Sequence, residues 1–347
     1  MRPLSRLLVS AVLGVVQATL ARAEPEQVRT VPARIIPVPE TVSAQMQSLI
    51  ARGPMTPVAP RTADEWKALV AAASEVEMTR IAALRQHFSV AVTERAIAGV
   101  RCYEVTPKGI PARNRNRLLV TVHGGGYVFG PGEAGNLEAI TMAGFAHMRV
   151  LSIDYRMPPD SPYPAAMDDA MAVWKEVVGR VMPARIGLFG SSTGGGMTLL
   201  MVQRAKAEGL PLPGAIAPGT PWSDLSKTGD SYFTNDAIDN ALGGYEPLLS
   251  AAAKLYANGV DLKDPRLSPV YGDFTGFPPT ILTTGTRDLF LSNTVRVHRK
   301  LREAGVDAQL EVYEGQSHGQ YIPDPSAPET QEAFGEITQF FDTHLSQ

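Results

Sequence analysis

The sequence predicts an α/β protein in which a parallel sheet carries helices on both faces. Apolar runs of strand length alternate with segments whose apolar residues recur at helical spacing, which is typical of strand–helix–strand units. The composition agrees, because 44% of the 347 residues are hydrophobic and 19% are charged, as in a globular protein. A chain of this length can bury a large core.

The strands are expected where short apolar runs occur, and helices where the apolar residues recur every three or four positions. Strands are predicted at 90–92, 100–105, 118–122, 150–154, 186–189, 215–217, 280–284 and 309–313. Helices are predicted at 165–178, from the strand at 186–189 to about 207, at 291–304 and at 328–345. The last helix is amphipathic, with Phe334, Ile337, Phe340 and Phe341 on one face.

The N-terminal part is predicted to hold two helices behind an extended arm at 24–60. Thr62 precedes Glu65 by three residues, which is a capping box at the start of a helix. Trp66 and Leu69 follow at helical spacing, and a second helix is predicted at 78–88. The stretch 226–262 interrupts the strand–helix rhythm. Together with 24–88 it is the predicted cap over the sheet.

Residues 1–23 are predicted to be a cleaved secretory signal. Arg2 and Arg6 precede an apolar run over residues 7–20, and Ala21-Arg22-Ala23 offers the small-x-small cleavage pattern. The run is shorter than the roughly 20 apolar residues of a membrane span, so we expect no span in the mature chain. Cleavage predicts export to the periplasm or the medium. The alternative is an uncleaved helix that tethers the protein to a membrane.

Charge and cysteine content exclude several classes of function. The chain has 32 basic and 35 acidic residues, a net charge of −3, which gives no electrostatic footprint for nucleic acid. One cysteine, Cys102, excludes an internal disulfide framework and a thiolate zinc cluster. No phosphate-binding loop, H-E-x-x-H motif or nucleotide fingerprint is present, so we expect neither a cofactor nor a metal.

The segment Gly190-Ser191-Ser192-Thr193-Gly194 is a G-x-S-x-G sequence between a predicted strand and a predicted helix. That context is typical of a serine nucleophile held on a sharp strand-to-helix turn. The alternative is an ordinary glycine-rich turn. The context favours Ser192 as a nucleophile.

A second glycine-rich segment, His123-Gly124-Gly125-Gly126-Tyr127, follows the strand at 118–122. Acyl transfer creates an oxyanion that needs preorganised hydrogen-bond donors. The amides of Gly124 and Gly125, with that of Thr193, are the predicted donors. We interpret His123 as a structural residue that anchors this loop.

A serine nucleophile needs a base, and the base needs an orienting carboxylate. Asp288 follows the strand at 280–284 and His318 follows the strand at 309–313. Both therefore lie at the carboxyl ends of strands, where the active sites of parallel sheets gather. Asp288 could instead cap the helix that follows it.

Together these residues resemble the hormone-sensitive-lipase-like branch of the α/β-hydrolases, which includes many bacterial carboxylesterases. The matching segments are 123–127, 154–159, 163–169, 190–195 and 221–224, followed by Asp288 and His318. The resemblance implies an α/β-hydrolase domain over 24–347, with a mainly parallel eight-stranded sheet flanked by helices and a helical cap.

The same resemblance implies a role for each site residue. Ser192 is the expected nucleophile, His318 the base and Asp288 its partner, while the three amides named above form the oxyanion hole. The segments 154–159 and 163–169 are expected to brace the catalytic loops. The sequence departs from the family at the turn, which usually reads Gly-Asp-Ser-Ala-Gly or Gly-Thr-Ser-Ala-Gly. Here Ser191 precedes the nucleophile, and the β-branched Thr193 is expected to crowd the acyl pocket.

The predicted activity is hydrolysis of short- to medium-chain carboxylic esters of small molecules through an acyl-enzyme. A lipase, a lactonase or a peptidase with the same triad stays open, because one triad serves several acyl compounds. A ligand-binding protein without turnover also stays open, since fold alone does not prove chemistry. Edge strands could pair two copies, so monomer and homodimer are both open.

Five apolar residues lie near the motifs in sequence and are candidates to line the substrate pocket. These are Tyr127, Trp222, Leu289, Phe290 and Tyr321. Core packing is the alternative for each, because aromatic side chains mostly bury area.

Overall fold

The computed structural model describes residues 30–346, and the signal sequence predicted at 1–23 lies outside them. Residues 30–37 have no regular secondary structure. Residues from Val38 onward form one unit around a single sheet.

Eight strands form the sheet of the described chain. They are β1 (Val90–Ile97), β2 (Val100–Pro107), β3 (Leu118–Val122), β4 (Arg149–Ile153), β5 (Ile186–Ser191), β6 (Ala215–Gly219), β7 (Thr280–Gly285) and β8 (Ala308–Tyr313). Their order across the sheet is β1-β2-β4-β3-β5-β6-β7-β8. Only the pairs β1–β2 and β2–β4 are antiparallel. The predicted mainly parallel, eight-stranded sheet is therefore confirmed.

Helices connect the strands and flank the sheet. Within residues 30–346 they are α1 (Ala44–Ile50), α2 (Ala63–Phe88), α3 (Leu137–Ala146), α4 (Ala165–Val178), α5 (Thr193–Ala207), α6 (Ser231–Thr234), α7 (Leu248–Ala257), α8 (Leu291–Glu303) and α9 (Pro328–His344). Among these residues, no helix combines the length and the apolar character that crossing a bilayer requires.

The hydrophobic core consists of two layers, one on each face of the sheet. Along β3, Val120 belongs to the core layer that includes residues of α4, α5 and α8, whereas its neighbour Leu119 belongs to the layer that includes residues of α3 and α9. The alternation follows from the two-residue period of a strand. Because helices cover both faces, every residue of β3 is buried and apolar or hydroxylated.

Two expectations for the N-terminal part are wrong. The predicted pair of helices is one helix, α2, because no glycine or proline interrupts it before Ser89, whose φ of 52° ends it. The predicted arm contains α1, which begins at Ser43. Glu329 on α9 accepts hydrogen bonds from the amide (2.6 Å) and hydroxyl (2.7 Å) of Ser43, so a distant contact stabilises this short helix.

Helix α3 was not predicted at all. Seven of its ten residues are buried, so it is apolar around most of its circumference. A helix of this kind lacks the one-sided apolar stripe on which sequence periodicity depends. Its first turn carries Glu138, which lies close to the site described below.

The two stretches predicted as the cap meet in the structure. Trp66 of α2 and Ala252 of α7 form a small buried cluster with Val128, which lies in the loop after β3. This loop is the glycine-rich segment singled out in the sequence. Helix α2 and the 226–262 stretch therefore both pack beside this loop.

Arg117 ties the end of the chain to the start of β3. Its side chain is only 2% exposed and donates to Asp342 Oδ1 (2.6 Å), to the carbonyl of Leu345 (2.7 Å) and to that of Ser346 (3.2 Å). These bonds occupy carbonyls at the end of α9 that the helix leaves without partners.

We expect Arg117→Met to lower the free energy of unfolding by about 2–3 kcal/mol, because it leaves the carbonyl groups and Asp342 without their charged donor. Equilibrium unfolding in guanidinium chloride measures the effect. Arg113 pairs with the same Asp342 at the surface, 53% exposed and at 3.4 Å. As the matched control, Arg113→Met should cost under about 0.5 kcal/mol. Equal losses in the two variants would contradict the assignment.

Candidate active site

Ser192 lies in the turn between β5 and α5, and its backbone is strained. Its φ of 62° and ψ of −123° lie in a region that L-residues rarely occupy. The turn is tight because Gly190 packs against the end of β3, where a Cβ would collide with the carbonyl oxygen of Val122. The side chain of Ser192 is partly exposed. The residue thus has the strand–turn–helix setting expected from the sequence.

The loop after β3 brings backbone amides beside Ser192. A Cβ built on Gly124 would lie 3.2 Å from the Cβ of Ser192, so the two backbones nearly touch. The amides of Gly124 and Gly125 donate no hydrogen bond to any atom within residues 30–346. Thr193 is the first residue of α5, where amides have no acceptor inside the helix. Three amides are therefore available to a developing negative charge.

Asp288 follows β7, His318 follows β8, and their side chains are hydrogen bonded. Asp288 Oδ1 lies 3.0 Å from His318 Nδ1. The carboxylate is fully buried, and its other oxygen accepts hydrogen bonds from the hydroxyls of Thr220 and Thr284. Its Oδ1 also accepts the amide of Phe290 (2.8 Å). One carboxylate thus both orients His318 and binds an amide just before helix α8.

The charges of this pair stabilise each other against the cost of burial. Burial alone would raise the pKa of Asp288 and lower the pKa of His318. Their mutual attraction and hydrogen bond outweigh it, so the pKa of Asp288 lies below its ordinary value and that of His318 above. Asp239 adds to the rise in the pKa of His318. Asp288 is therefore ionised near neutral pH and His318 is an effective proton acceptor.

Asp239, in the 226–262 stretch, is a buried carboxylate that sequence analysis missed. Its Oδ2 accepts the amides of Leu289 (2.8 Å) and His318 (3.2 Å), so it joins the loop of Asp288 to the loop of His318. Its Oδ1 accepts the amides of Ala241 (2.9 Å) and Leu242 (3.0 Å). No motif distinguishes it among 35 acidic residues.

Thr220 was also missed, and it links Ser192 to His318. Its Oγ1 lies 2.9 Å from His318 Nδ1, and the carbonyl of the preceding Gly219 accepts the amide of Ser192 at 3.0 Å. Its φ of 33° is unusual for a β-branched residue and marks local strain. Ser192 Oγ and His318 Nε2 make no hydrogen bond within the described chain.

His123 and Arg156 support the loops around the site. His123 Nδ1 lies 2.7 Å from the carbonyl of Gly124, and its ring stacks on Tyr155 at 4.3 Å. This is the anchoring role expected for His123. Arg156 forms a two-pronged pair with Asp169, with bonds of 2.7 and 2.9 Å, which joins the segments 154–159 and 163–169.

The five candidates for the substrate pocket are all buried. Tyr127 stacks on a neighbouring tyrosine at 3.6 Å, and Trp222 and Phe290 stack on each other at 5.4 Å. Leu289 has no exposed surface, and Tyr321 is bonded to Ser191 at 2.8 Å. Core packing thus describes these side chains as they stand, and their contact with a substrate stays a prediction.

The protonatable side chains of residues 30–346 form no cluster of three or more His, Cys, Asp or Glu able to hold a metal ion. Cys102 is buried and unpaired with any other cysteine. Burial raises the pKa of its thiol to about 12, so this cysteine is a poor nucleophile.

Comparison with known sequences agrees with this geometry. The sequence model of the alpha/beta hydrolase fold family matches residues 119–322. An acetyl-hydrolase of Streptomyces hygroscopicus is 31% identical over 224 residues, which cover 64% of this chain and 74% of the relative. An esterase of Acinetobacter venetianus is 27% identical over 74% of this chain and 83% of its own length.

Comparison with solved structures extends the similarity to nearly the whole chain. The crystal structure of an esterase, 46% identical, superposes with a TM-score of 0.89 over 92% of this chain and all of that one. An esterase of the bacterial hormone-sensitive lipase family, 26% identical, covers 82% of this chain with a TM-score of 0.69. The chain therefore belongs to the α/β-hydrolase family and, within it, to the hormone-sensitive-lipase-like carboxylesterases.

Proposed function

We propose that this esterase hydrolyses short- to medium-chain carboxylic esters through an acyl-enzyme formed on Ser192. The observation that carries the proposal is the hydrogen-bonded pair of Asp288 and His318. The loops that carry this pair follow β7 and β8, which run parallel to β5 and end at the same edge of the sheet as Ser192.

The proposed reaction uses His318 first as a base and then as an acid. His318 Nε2 takes the proton of Ser192 as Oγ attacks the carbonyl carbon, and the three free amides stabilise the oxyanion. The protonated imidazole then gives its proton to the leaving alcohol. In the second half, His318 takes a proton from water as the water attacks the acyl-enzyme, and it then returns the proton to Ser192 Oγ as the acid leaves. Asp288 holds the ring in place throughout.

A small acyl group is supported by two observations. The Streptomyces relative is named an acetyl-hydrolase. In this chain the β-branched Thr193 follows Ser192 directly and is fully buried, and we expect its side chain to narrow the space for the acyl group. Long-chain esters, lactones and amides remain the competing substrates, because the same constellation serves each of them.

We expect Ser192→Ala to lower kcat at least about a thousand-fold on p-nitrophenyl esters, because it removes the attacking oxygen. The assay compares acetate through palmitate with the mature protein, and turnover should be greatest on the short chains. Ser326→Ala, which alters an exposed loop serine, is the control and should leave turnover unchanged.

Retained activity in Ser192→Ala would contradict the assigned nucleophile. Serine-dependent turnover that peaks on palmitate would instead identify a long-chain lipase. If the wild type itself cleaves none of the esters, the next assays use lactones and amides as substrates. Ligand binding without turnover is tested after them.

We expect Asp239→Asn to move the acidic limb of the kcat/KM pH profile to lower pH. The limb reports the pKa of the base in the free enzyme. The negative charge of Asp239 raises the pKa of His318, so its removal lowers that pKa. Asparagine keeps one oxygen, which can accept two of the four backbone amides that Asp239 binds. The measurement is a pH series of kcat/KM on p-nitrophenyl acetate.

The matched control is Asp236→Asn, an exposed acid in the same stretch whose charge is screened by solvent. It should leave the limb in place. An Asp239→Asn limb that stays fixed or moves to higher pH would show that this carboxylate does not set the pKa of the base.

We also propose that the protein is exported after cleavage behind Ala23. The proposal is supported by the basic start, the apolar run and the small-x-small site at 1–23. Expression of the full chain should yield a product outside the cytoplasm whose first residue is Glu24, as read by N-terminal sequencing. A chain lacking residues 2–23 should stay in the cytoplasm. A full-length chain that retains Met1 would contradict the proposal.

A further inference from the structure

Ser191, the residue before Ser192, forms hydrogen bonds with two side chains. Its amide donates to Glu138 Oε2 at 3.0 Å, and its hydroxyl donates to Glu138 Oε1 at 2.7 Å. The same hydroxyl lies 2.8 Å from the hydroxyl of Tyr321. Ser191 is 4% exposed and Tyr321 is 2% exposed, whereas Glu138 is only partly buried. The three side chains form one continuous chain of hydrogen bonds.

The three members come from different parts of the fold. Glu138 lies in the first turn of α3, Ser191 ends β5, and Tyr321 follows His318 by three residues. The chain of bonds therefore spans the turn that holds Ser192 and the loop that holds His318. It passes beside Gly219, whose carbonyl also accepts the amide of Ser192.

We propose that Glu138, Ser191 and Tyr321 form a positioning network that holds the Ser192 turn against the His318 loop. The inference deepens the proposed function, on which it rests. None of the three touches the reacting atoms, so they act through the placement of Ser192 and His318. Small displacements of reacting groups reduce turnover strongly, because they lose the near-attack geometry.

The environment of Glu138 agrees with such a role. Burial raises the pKa of its carboxyl to about 7, and the two bonds from Ser191 oppose the rise. The protonated carboxyl has one accepting and one donating oxygen. A glutamine amide has the same pattern of one acceptor and one donor group.

The first test deletes single hydroxyls. Tyr321→Phe and Ser191→Ala should each lower kcat on p-nitrophenyl acetate about ten-fold while KM changes less than about two-fold. Their double variant should be no slower than the worse single variant, because both remove the same network. The rate at which diethyl p-nitrophenyl phosphate modifies Ser192 should fall in parallel with kcat.

The matched control is Tyr313→Phe. The hydroxyl of Tyr313 also donates to a glutamate, the partly buried Glu336, and its ring stacks on the ring of Tyr321. Tyr313 has no hydrogen bond to Ser191. It should leave kcat unchanged. Thermal unfolding of each variant shows that the protein is folded at the assay temperature. Unchanged kcat in Tyr321→Phe and Ser191→Ala, or additive losses in the double variant, would overturn the proposal.

The second test replaces the acid at pH 6. Glu138→Gln keeps the hydrogen-bond pattern of the protonated carboxyl and should retain kcat within about three-fold, whereas Glu138→Ala should lose about ten-fold or more. Equal kcat in the two variants would overturn the role of Glu138.

The outcome for the network is separable from that for the proposed function. If the wild type neither hydrolyses esters nor reacts with the phosphate at Ser192, the proposed function fails. The network is then tested by the free energies of unfolding of Ser191→Ala, Tyr321→Phe and their double variant. A coupling between the two changes supports the network, and strict additivity overturns it.

Discussion

The site depends on the close approach of backbones at one edge of the sheet. The turn of Ser192 packs against the end of β3 and the loop after it, and its amide is held by the last residue of β6. Strand β5 lies between β3 and β6, so the strand order brings these backbones together. The strained φ of Ser192 persists because neighbours on both sides confine the turn. Ser192 and the proposed oxyanion donors are therefore placed by the main chain rather than by flexible side chains.

Three carboxyl groups, two of them buried and one partly buried, join the loops around that edge. Asp288 holds the His318 ring, Asp239 joins the amides of two loops, and Glu138 holds the residue before Ser192. Burying a charge is costly unless hydrogen bonds compensate it, and each of the three accepts at least two. These groups cost stability, but they hold the loops in place and create an electric field around the site. The negative charges of Asp288 and Asp239 raise the pKa of His318, which favours its proposed action as a base.

Segments outside the central sheet also reach the site. The side-chain amide of Asn240 donates to the carbonyls of Leu49 (2.9 Å) and Ile50 (3.2 Å) at the end of α1. Its Oδ1 accepts from Gln320 at 2.7 Å, two residues after His318. Helix α1 is thus connected to the loop of His318 through the side chain of Asn240. The 226–262 stretch and helix α1 are therefore part of the structure that holds the loop of His318.

The strands and most helices were predictable because their signals are local. A strand repeats every two residues and a helix every 3.6, so each can be recognised within one short window. Helix α3 escaped because it is buried around most of its circumference. Helix α1 has only seven residues, and besides its local cap by Ser43 it is stabilised by Glu329, 286 residues away from Ser43. Both errors occur where burial or a distant contact replaces the local pattern.

The sequence by itself determined the fold class, the serine turn, the glycine loop and the order of Ser192, Asp288 and His318, since each depends on neighbouring residues or on chain order. Only the tertiary structure decided that Asp239 and Glu138 belong to the site. Their hydrogen bonds join residues 79 and 53 positions apart, respectively, and no spacing rule relates such positions. The physical reason is that contacts between loops arise only after the strands have been ordered in the sheet.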